Sequence, residues 1–152
     1  VARRPADLYR AVHAAIAEGL GSLGIEAGRR SEGPSSARRE RPFLCFLDHD
    51  PEDIVFLGSK VVGSAQRRRP RAVLQHGSLL LARSEATPEL PGLVDLTELN
   101  IETTIWANLV KSYLCDLLRF ESIPSDLSIA ERRMASDRES TVYRNPAWTR
   151  KR

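Results

Sequence analysis

VFLGSKVVGSAQRRRPRAVLQHGSLLL, residues 55–81, carries two short runs of strand character on either side of a strongly basic turn. In an extended strand successive side chains alternate between faces. The first run therefore sets Lys60, Val62, Ser64 and Gln66 on one side and Val61, Gly63, Ala65 and Arg67 on the other. The second run, residues 72–81, is rich in leucine and valine but is interrupted by Gln75, His76, Gly77 and Ser78. A lysine, a group of small residues and a Gln-His-Gly-Ser step make poor core. Gly63 and Gly77 weaken a ladder and mark a place where a backbone or a ligand comes close. We read the stretch as a β-hairpin whose centre serves as a site.

Working upstream, residues 54–57 form a short strand that Gly58-Ser59 turns into the lysine strand. Residues 43–47 (FLCFL) are wholly apolar and of strand length, closed by the turn Asp48-His49-Asp50-Pro51. Residues 28–41 lack apolar periodicity and are expected to be a mobile surface loop. Residues 25–27 suit a brief strand. Residues 5–23 have helical period: Leu8, Val12, Ile16 and Leu20 recur every four, and Ala15 and Leu23 fill the stripe. Pro5 suits the first turn and Gly24 the stop. His13 flanks the stripe and is expected to be partly exposed.

Downstream, residues 84–92 connect to a second helical period over 103–120. Its apolar face holds Trp106, Leu109, Val110, Tyr113, Leu114, Leu117 and Leu118. Ser128 followed by Glu131 is a capping box for a final helix towards Ser140, and Asn145-Pro146 breaks what remains. A helix, strands in hairpins, then helices make an α+β architecture, an antiparallel-rich sheet with helices packed on it.

At 152 residues the chain is one domain in size, and 41% hydrophobic with 28% charged residues is ordinary for a globular protein. Arginines cluster at 29–30, 38–41, 67–71 and 150–152 on a net charge of only +3. They suit nucleic acid or an acidic protein. A solvated basic surface is the plainer reading, and nucleic acid is not expected as a partner. Cys45 and Cys115 have apolar neighbours and no pairing framework, which suggests a reducing, cytoplasmic setting. No apolar run reaches membrane-spanning length, and no membrane partner is expected.

The words Gly58-Ser59-Lys60-Val61-Val62-Gly63-Ser64-Ala65-Gln66-Arg67 and Gln75-His76-Gly77-Ser78 resemble, in order and spacing, two strands of the lipoate-protein ligase and octanoyltransferase family. That family shares its fold with biotin protein ligases. Its strands read G-x-K-hydrophobic-x-G-S-A-Q-R and L-x-H-G-S. The similarity runs from about Asp7 to Tyr143-Arg144-Asn145-Pro146-Ala147-Trp148, which looks like the family's tail. It implies a class II synthetase or biotin/lipoate ligase-like α+β fold. The family's upstream Arg-Arg-x-Gly-Gly loop has no counterpart in this sequence. We therefore expect residues 1–152 to be the C-terminal portion of a catalytic domain, incomplete at the N-terminus.

Lys60 reads either as an edge-strand lysine facing water or as a fixed ammonium beside small residues, able to neutralise an oxyanion or a phosphate. The resemblance implies the second, in contact with an acyl carbonyl or acyl-adenylate. Cys45 reads either as a small buried hydrophobe or as a thiolate that carries an acyl group as a thioester. The thiolate role needs a pKa below the free value of about 8.5, which a nearby Lys60 would favour. Some octanoyltransferases that this chain resembles have such a Cys-Phe before the lysine strand, whereas lipoate ligases need no thiol.

Gly63, Ser64, Ala65, Gln75, His76, Gly77 and Ser78 are expected to bind the acyl substrate, with His76 lining the pocket. His49 between two aspartates suggests a metal ligand on paper, but solvation is the expectation and no metal is implied. Cys115 is expected to be packing, and Trp148 either docks or stays partly exposed.

The function so implied is transfer of an octanoyl (or lipoyl) group from acyl-carrier protein to a lysine of a lipoyl carrier domain. The acceptor would be a protein such as glycine cleavage H protein or 2-oxoacid dehydrogenase E2. The transfer passes through a Cys45 thioester with Lys60, in protein lipoylation, with no cofactor. Two alternatives stay open: ATP-dependent lipoate ligation through an adenylate, requiring ATP and magnesium, and a non-catalytic fragment or basic binding module.

Overall fold

Leu8, Val12, Ile16 and Leu20 run along one side of helix α1 (Pro5–Gly21), and Leu20 is fully buried. The structure, a computed structural model, describes residues 5–30, 44–70, 72–100 and 102–150, without the side chains of Pro5, Cys45 and Thr149. Gly24, at φ +78°, turns the chain so that Ile25 returns its N–H to the Leu20 carbonyl. Two units follow one another, residues 1–121 and 122–152.

Among the described residues of the first unit, four antiparallel strands lie in the order β1 (Gly28–Arg29), β2 (Ile54–Phe56), β3 (Ser59–Arg69) and β4 (Ala72–Leu79). The strand expected at 25–27 falls instead at Gly28–Arg29, within the segment expected to be a loop, because these two residues pair with Val55 and Ile54. Residues 31–41 of that expected loop lie outside the described residues. The apolar run expected as a strand over 43–47 is, in its described part, a 3₁₀ turn at Cys45–Leu47, closed by the Leu47 N–H on the Leu44 carbonyl at 2.9 Å; Phe43 lies outside the described residues. A short apolar run does not by itself separate strand from helix. The β2–β3 turn is Leu57-Gly58, one residue earlier than expected. Both residues have positive φ, +46° and +79°, as a two-residue type I′ hairpin requires.

One irregularity in this hairpin decides which side chains meet. Lys60 pairs with Val55, yet Val62 pairs with Ile54, so Val61 is an extra residue in β3. Such a bulge lets two successive side chains face the same way. Val61 and Val62 are accordingly both buried in the core, 0% and 2% exposed. Alternation restarts beyond them, which sets Lys60 on the face of Gly63 and Ala65. The strict alternation read from the sequence, Lys60 with Ser64, is thereby corrected.

The core gathers Leu20, Ile25, Ile54, Val61, Val62, Leu93 and Trp106. Each such side chain contributes roughly 1.5–3 kcal/mol by leaving water. Trp106 comes from helix α3 (Thr103–Leu118), which packs on α1. Gly19 leaves room there for the Tyr113 ring, whose Cδ2 lies 3.1 Å from where a β-carbon would stand. A four-residue helix α2 (Leu93–Leu96), not foreseen, carries Leu93 inward. Its Asp95 carboxylate accepts the N–H groups of Gly92 and Arg83 at 2.8 and 2.6 Å, and those bonds hold the carboxyl below its ordinary range.

The second unit opens with helix α4 (Ile129–Arg138), capped as its sequence predicts. Ser128 Oγ accepts the Glu131 N–H at 3.2 Å, and the Glu131 carboxylate accepts the Ser128 N–H at 2.8 Å. A π-helical turn (Glu139–Tyr143) follows. Asn145 then starts a last turn α5 (Pro146–Thr149) where the sequence had suggested an end. Tyr143 and Trp148 meet edge to face at 5.9 Å, with Trp148 half exposed. Among the described residues, no helix is long and apolar enough to cross a membrane.

Candidate functional site

Lys60 begins at the edge of β3, and the bulge turns it onto the sheet face away from α1. There its ammonium meets Asp53 Oδ2 at 2.7 Å and the Asp48 carbonyl at 2.8 Å, and lies 5.1 Å from the centre of the Phe46 ring. The two side chains of the ion pair are 9% and 1% exposed. Asp53 Oδ2 also accepts the Asp50 N–H at 2.7 Å, while Oδ1 has no hydrogen-bond partner among the described residues. An ammonium has three N–H donors, and two are committed to these oxygens. The third remains for whatever enters beside it.

What lies beside it is a cleft of about 180 Å³. Phe46 and Lys60 form one end; Gly63, Ala65, His76, Gly77 and Ser78 line the rest, together with Ser64. The cross-strand register explains the grouping, since Gly63 faces Ser78 and Ala65 faces His76. Gly63 is glycine for a local reason: a β-carbon there would stand 2.6 Å from Lys60 Cε. At Gly77 a β-carbon would meet the Gly63 carbonyl oxygen at 2.6 Å and Ser64 Cβ at 2.7 Å, so that glycine permits the close approach of the strands.

Two expected site residues point elsewhere. Ser64 and Gln75 send their side chains to the α1 face, where Gln75 Nε2 donates to Ser64 Oγ at 3.2 Å and Gln66 Nε2 donates to Gln75 Oε1 at 2.8 Å. This network ends on His13, expected to be partly exposed but 0% exposed. Its Nδ1 faces the Glu52 carbonyl, which can only accept, so Nδ1 carries the hydrogen. Nε2, 2.8 Å from Ser64 Oγ, then accepts from the hydroxyl in the neutral ring. The Tyr9 hydroxyl donates to the Ser64 carbonyl. A larger hollow of about 390 Å³ opens on this side, lined by Tyr9, Asp50, Glu52 and Gln66 among others, and Lys60 has no part in it.

Of the remaining expected residues, His76 is exposed on β4, so it borders the cleft rather than filling core. The main chain of Cys45 stands in the turn immediately before Phe46; its side chain lies outside the described atoms. His49 is exposed, and partial desolvation with the cations of Arg30 and Lys60 holds its imidazole below the ordinary value. Cys115 is a free, half-buried cysteine of α3. Sequence reasoning missed Asp53 and His13. The usable signal for Asp53 was its place just before β2: folding the hairpin about Leu57-Gly58 brings that end of β2 alongside the lysine strand.

Two solved structures share this fold over 97% of the chain, each with a TM-score of 0.73. One is protein Ta0514 from T. acidophilum with bound lipoic acid, at 15% identity; the other is lipoate-protein ligase A bound with ATP, at 17%. The chain covers 60% of each. The architecture is thus the α+β fold of lipoate-protein ligases. Residues 2–83, more than half of the chain, match the biotin/lipoate A/B protein ligase family, and the chain belongs to that family. Among curated proteins it is similar to the octanoyltransferase LipM of Bacillus subtilis (strain 168), 35% identical over 83 residues. It is likewise similar to LipM of Clostridioides difficile (strain 630), 34% over 73 residues, and of Kyrpidia tusciae, 39% over 84. These matches take in 52%, 48% and 49% of the chain but only 30%, 27% and 28% of the respective relatives.

Proposed function

We propose that the whole protein moves an octanoyl group from an acyl-carrier protein to a lysine of a lipoyl carrier domain, by way of a thioester on Cys45. The observation that carries this reading is the Lys60 ammonium, fixed at the end of a small-residue cleft with one N–H uncommitted, in a chain whose curated relatives are octanoyltransferases. Cys45 Sγ attacks the donor thioester carbonyl, the carrier thiol leaves, and the acyl group stays on sulfur. The acceptor lysine, as its neutral amine, then attacks that thioester; the amide forms, the Cys45 thiolate leaves, and the proton lost by the amine passes to water. In both steps the carbonyl oxygen gains charge, and a pre-oriented N–H at the cleft stabilises it.

Asp53 refines the part given to Lys60. With a carboxylate at 2.7 Å the ammonium is largely neutralised, so it serves as an oriented donor more than as a bare charge. No metal or cofactor enters these steps.

Intact-mass spectrometry of the full-length protein mixed with octanoyl-acyl-carrier protein tests the reading. An octanoyl adduct that maps to Cys45 and disappears in Cys45→Ser is expected. ATP-dependent modification of the acceptor that survives Cys45→Ser would assign the chain to lipoate ligation instead. Absence of both activities would leave a binding module.

A further inference from the structure

The β3–β4 hairpin continues past the sheet. β2 pairs with β3 only as far as Val62, so over residues 63–69 the strand has β4 alone for a partner among the described residues. The resulting ribbon is seven residues long, roughly 23 Å at about 3.3 Å per residue. At its root Ser64 still meets His13 and Tyr9 of α1, whereas Arg67, Arg68, Arg69, Ala72, Val73 and Leu74 are all exposed, and two strands in water are marginal on their own. Here the Gln66–Gln75 amide pair and the Arg68 guanidinium on Gln66 Oε1, at 3.2 Å, brace them.

Charge on this ribbon is one-sided. Residues 54–84 contain six Lys and Arg and no Asp or Glu, whereas the rest of the chain holds seventeen of the former and twenty of the latter. Alternation beyond the bulge puts Arg67 and Arg69 on the same face as Gly63 and Ala65, the face of the cleft. Leu74 lies directly across from Arg67 and is 59% exposed. Neither arginine meets a carboxylate among the described residues. A ribbon built only for solubility would interleave the two signs.

We propose that this row, Arg67 and Arg69 with Leu74 between the strands' tips and the cleft, is the docking strip for the acidic acyl-carrier protein that delivers the acyl group. The assignment rests on the octanoyl-transfer reading above. Arg67 stands four residues from Gly63, roughly 13 Å along the strand. A carrier whose acyl group hangs from a long flexible arm can sit on the strip and still present its thioester at the cleft. An acceptor offers only a lysine stem of four carbons. Nucleic acid fits less well, because residues 57–84 hold no Phe, Tyr or Trp on which a base could stack.

The test uses the full-length protein and its R67E/R69E variant, both checked for folding by circular dichroism, with R67Q/R69Q and Leu74→Ser as milder variants. Affinity for octanoyl-acyl-carrier protein is measured at low and high salt. Transfer is followed from that carrier and from octanoyl-N-acetylcysteamine, a small thioester with no protein attached. The expected result is salt-sensitive binding that weakens about tenfold or more on charge reversal and loses its salt dependence. KM for the carrier rises while transfer from the small thioester is unchanged.

Carrier affinity untouched by charge reversal overturns the proposal. So does a loss confined to the lipoyl acceptor domain, or a single-stranded oligonucleotide that binds more tightly than the carrier. If neither donor is turned over but salt-sensitive carrier binding still vanishes in the variant, the docking strip stands and the transfer reading falls.

Discussion

An ammonium and a carboxylate 2.7 Å apart and nearly out of water are held together by mutual attraction but charged heavily for leaving solvent. Removing one partner leaves the other buried and uncompensated, so Asp53→Ala is expected to destabilise the protein by about 3–5 kcal/mol, read from the denaturant midpoint. Replacing both by apolar residues removes the desolvation problem as well as the attraction. Lys60→Met combined with Asp53→Leu should therefore recover most of that loss, and acyl transfer should stay abolished. A double variant that remains as unstable as Asp53→Ala would show that the pair is chiefly a scaffold for the Asp48–Asp53 turn. The orphaned Oδ1 of Asp53, aimed at Gly63, fits a carboxylate placed for the lysine's sake rather than for its own satisfaction.

Between neighbouring elements the β2–β3 hairpin is the most informative join. Leu57 sits at φ +46°, where a side chain beyond glycine, asparagine or aspartate is strained, and it is 71% exposed. Leu57→Asn keeps the type I′ turn and relieves the strain, so stability is expected to rise by about 1 kcal/mol, seen as a higher thermal midpoint. Helix α1 is joined to β1 through Glu52, whose carboxylate meets Arg10 at 2.7 Å and Arg29 at 3.1 Å. Burial pushes that carboxyl upward, but the two guanidinium groups outweigh it and hold it below its ordinary 4.5. A carboxyl depressed by folding contributes stability that is fully present above its unfolded value and lost as pH falls through the lower folded one. The wild-type midpoint should thus fall more steeply than that of Glu52→Gln as pH drops below about 5, and the two should converge in stronger acid.

Helix periods, the hairpin and its lysine were legible in the sequence, because each depends on spacing within one segment. The bulge at Val61 was not, since it is a mismatch between two strands, and it moved Lys60 from the face of Ser64 to that of Gly63. His13 was misjudged for a similar reason: its partners Glu52 and Ser64 lie 39 and 51 residues away.

Across the whole molecule, burial is uneven enough to predict how the chain opens. Leu20, Ile54, Val61, Leu93 and Trp106, all at or below 1% exposure, belong to residues 1–121, whereas no described residue of 122–152 is buried. Helix α4 is well capped at Ser128, yet it has ten residues, and Ile129 and Met134 are 82% and 67% exposed. An isolated helix of that length is marginal in water, because nucleation is costly and only a packed face offsets it. Capping holds the first turn without supplying that face. Amide hydrogen exchange on the 152-residue chain should therefore show the amides flanking Trp106 in α3 protected to nearly the global unfolding free energy, with those of α4 close to unprotected. Protection of α4 equal to that of α3 would mean instead that Ile129 and Met134 find an apolar partner in solution.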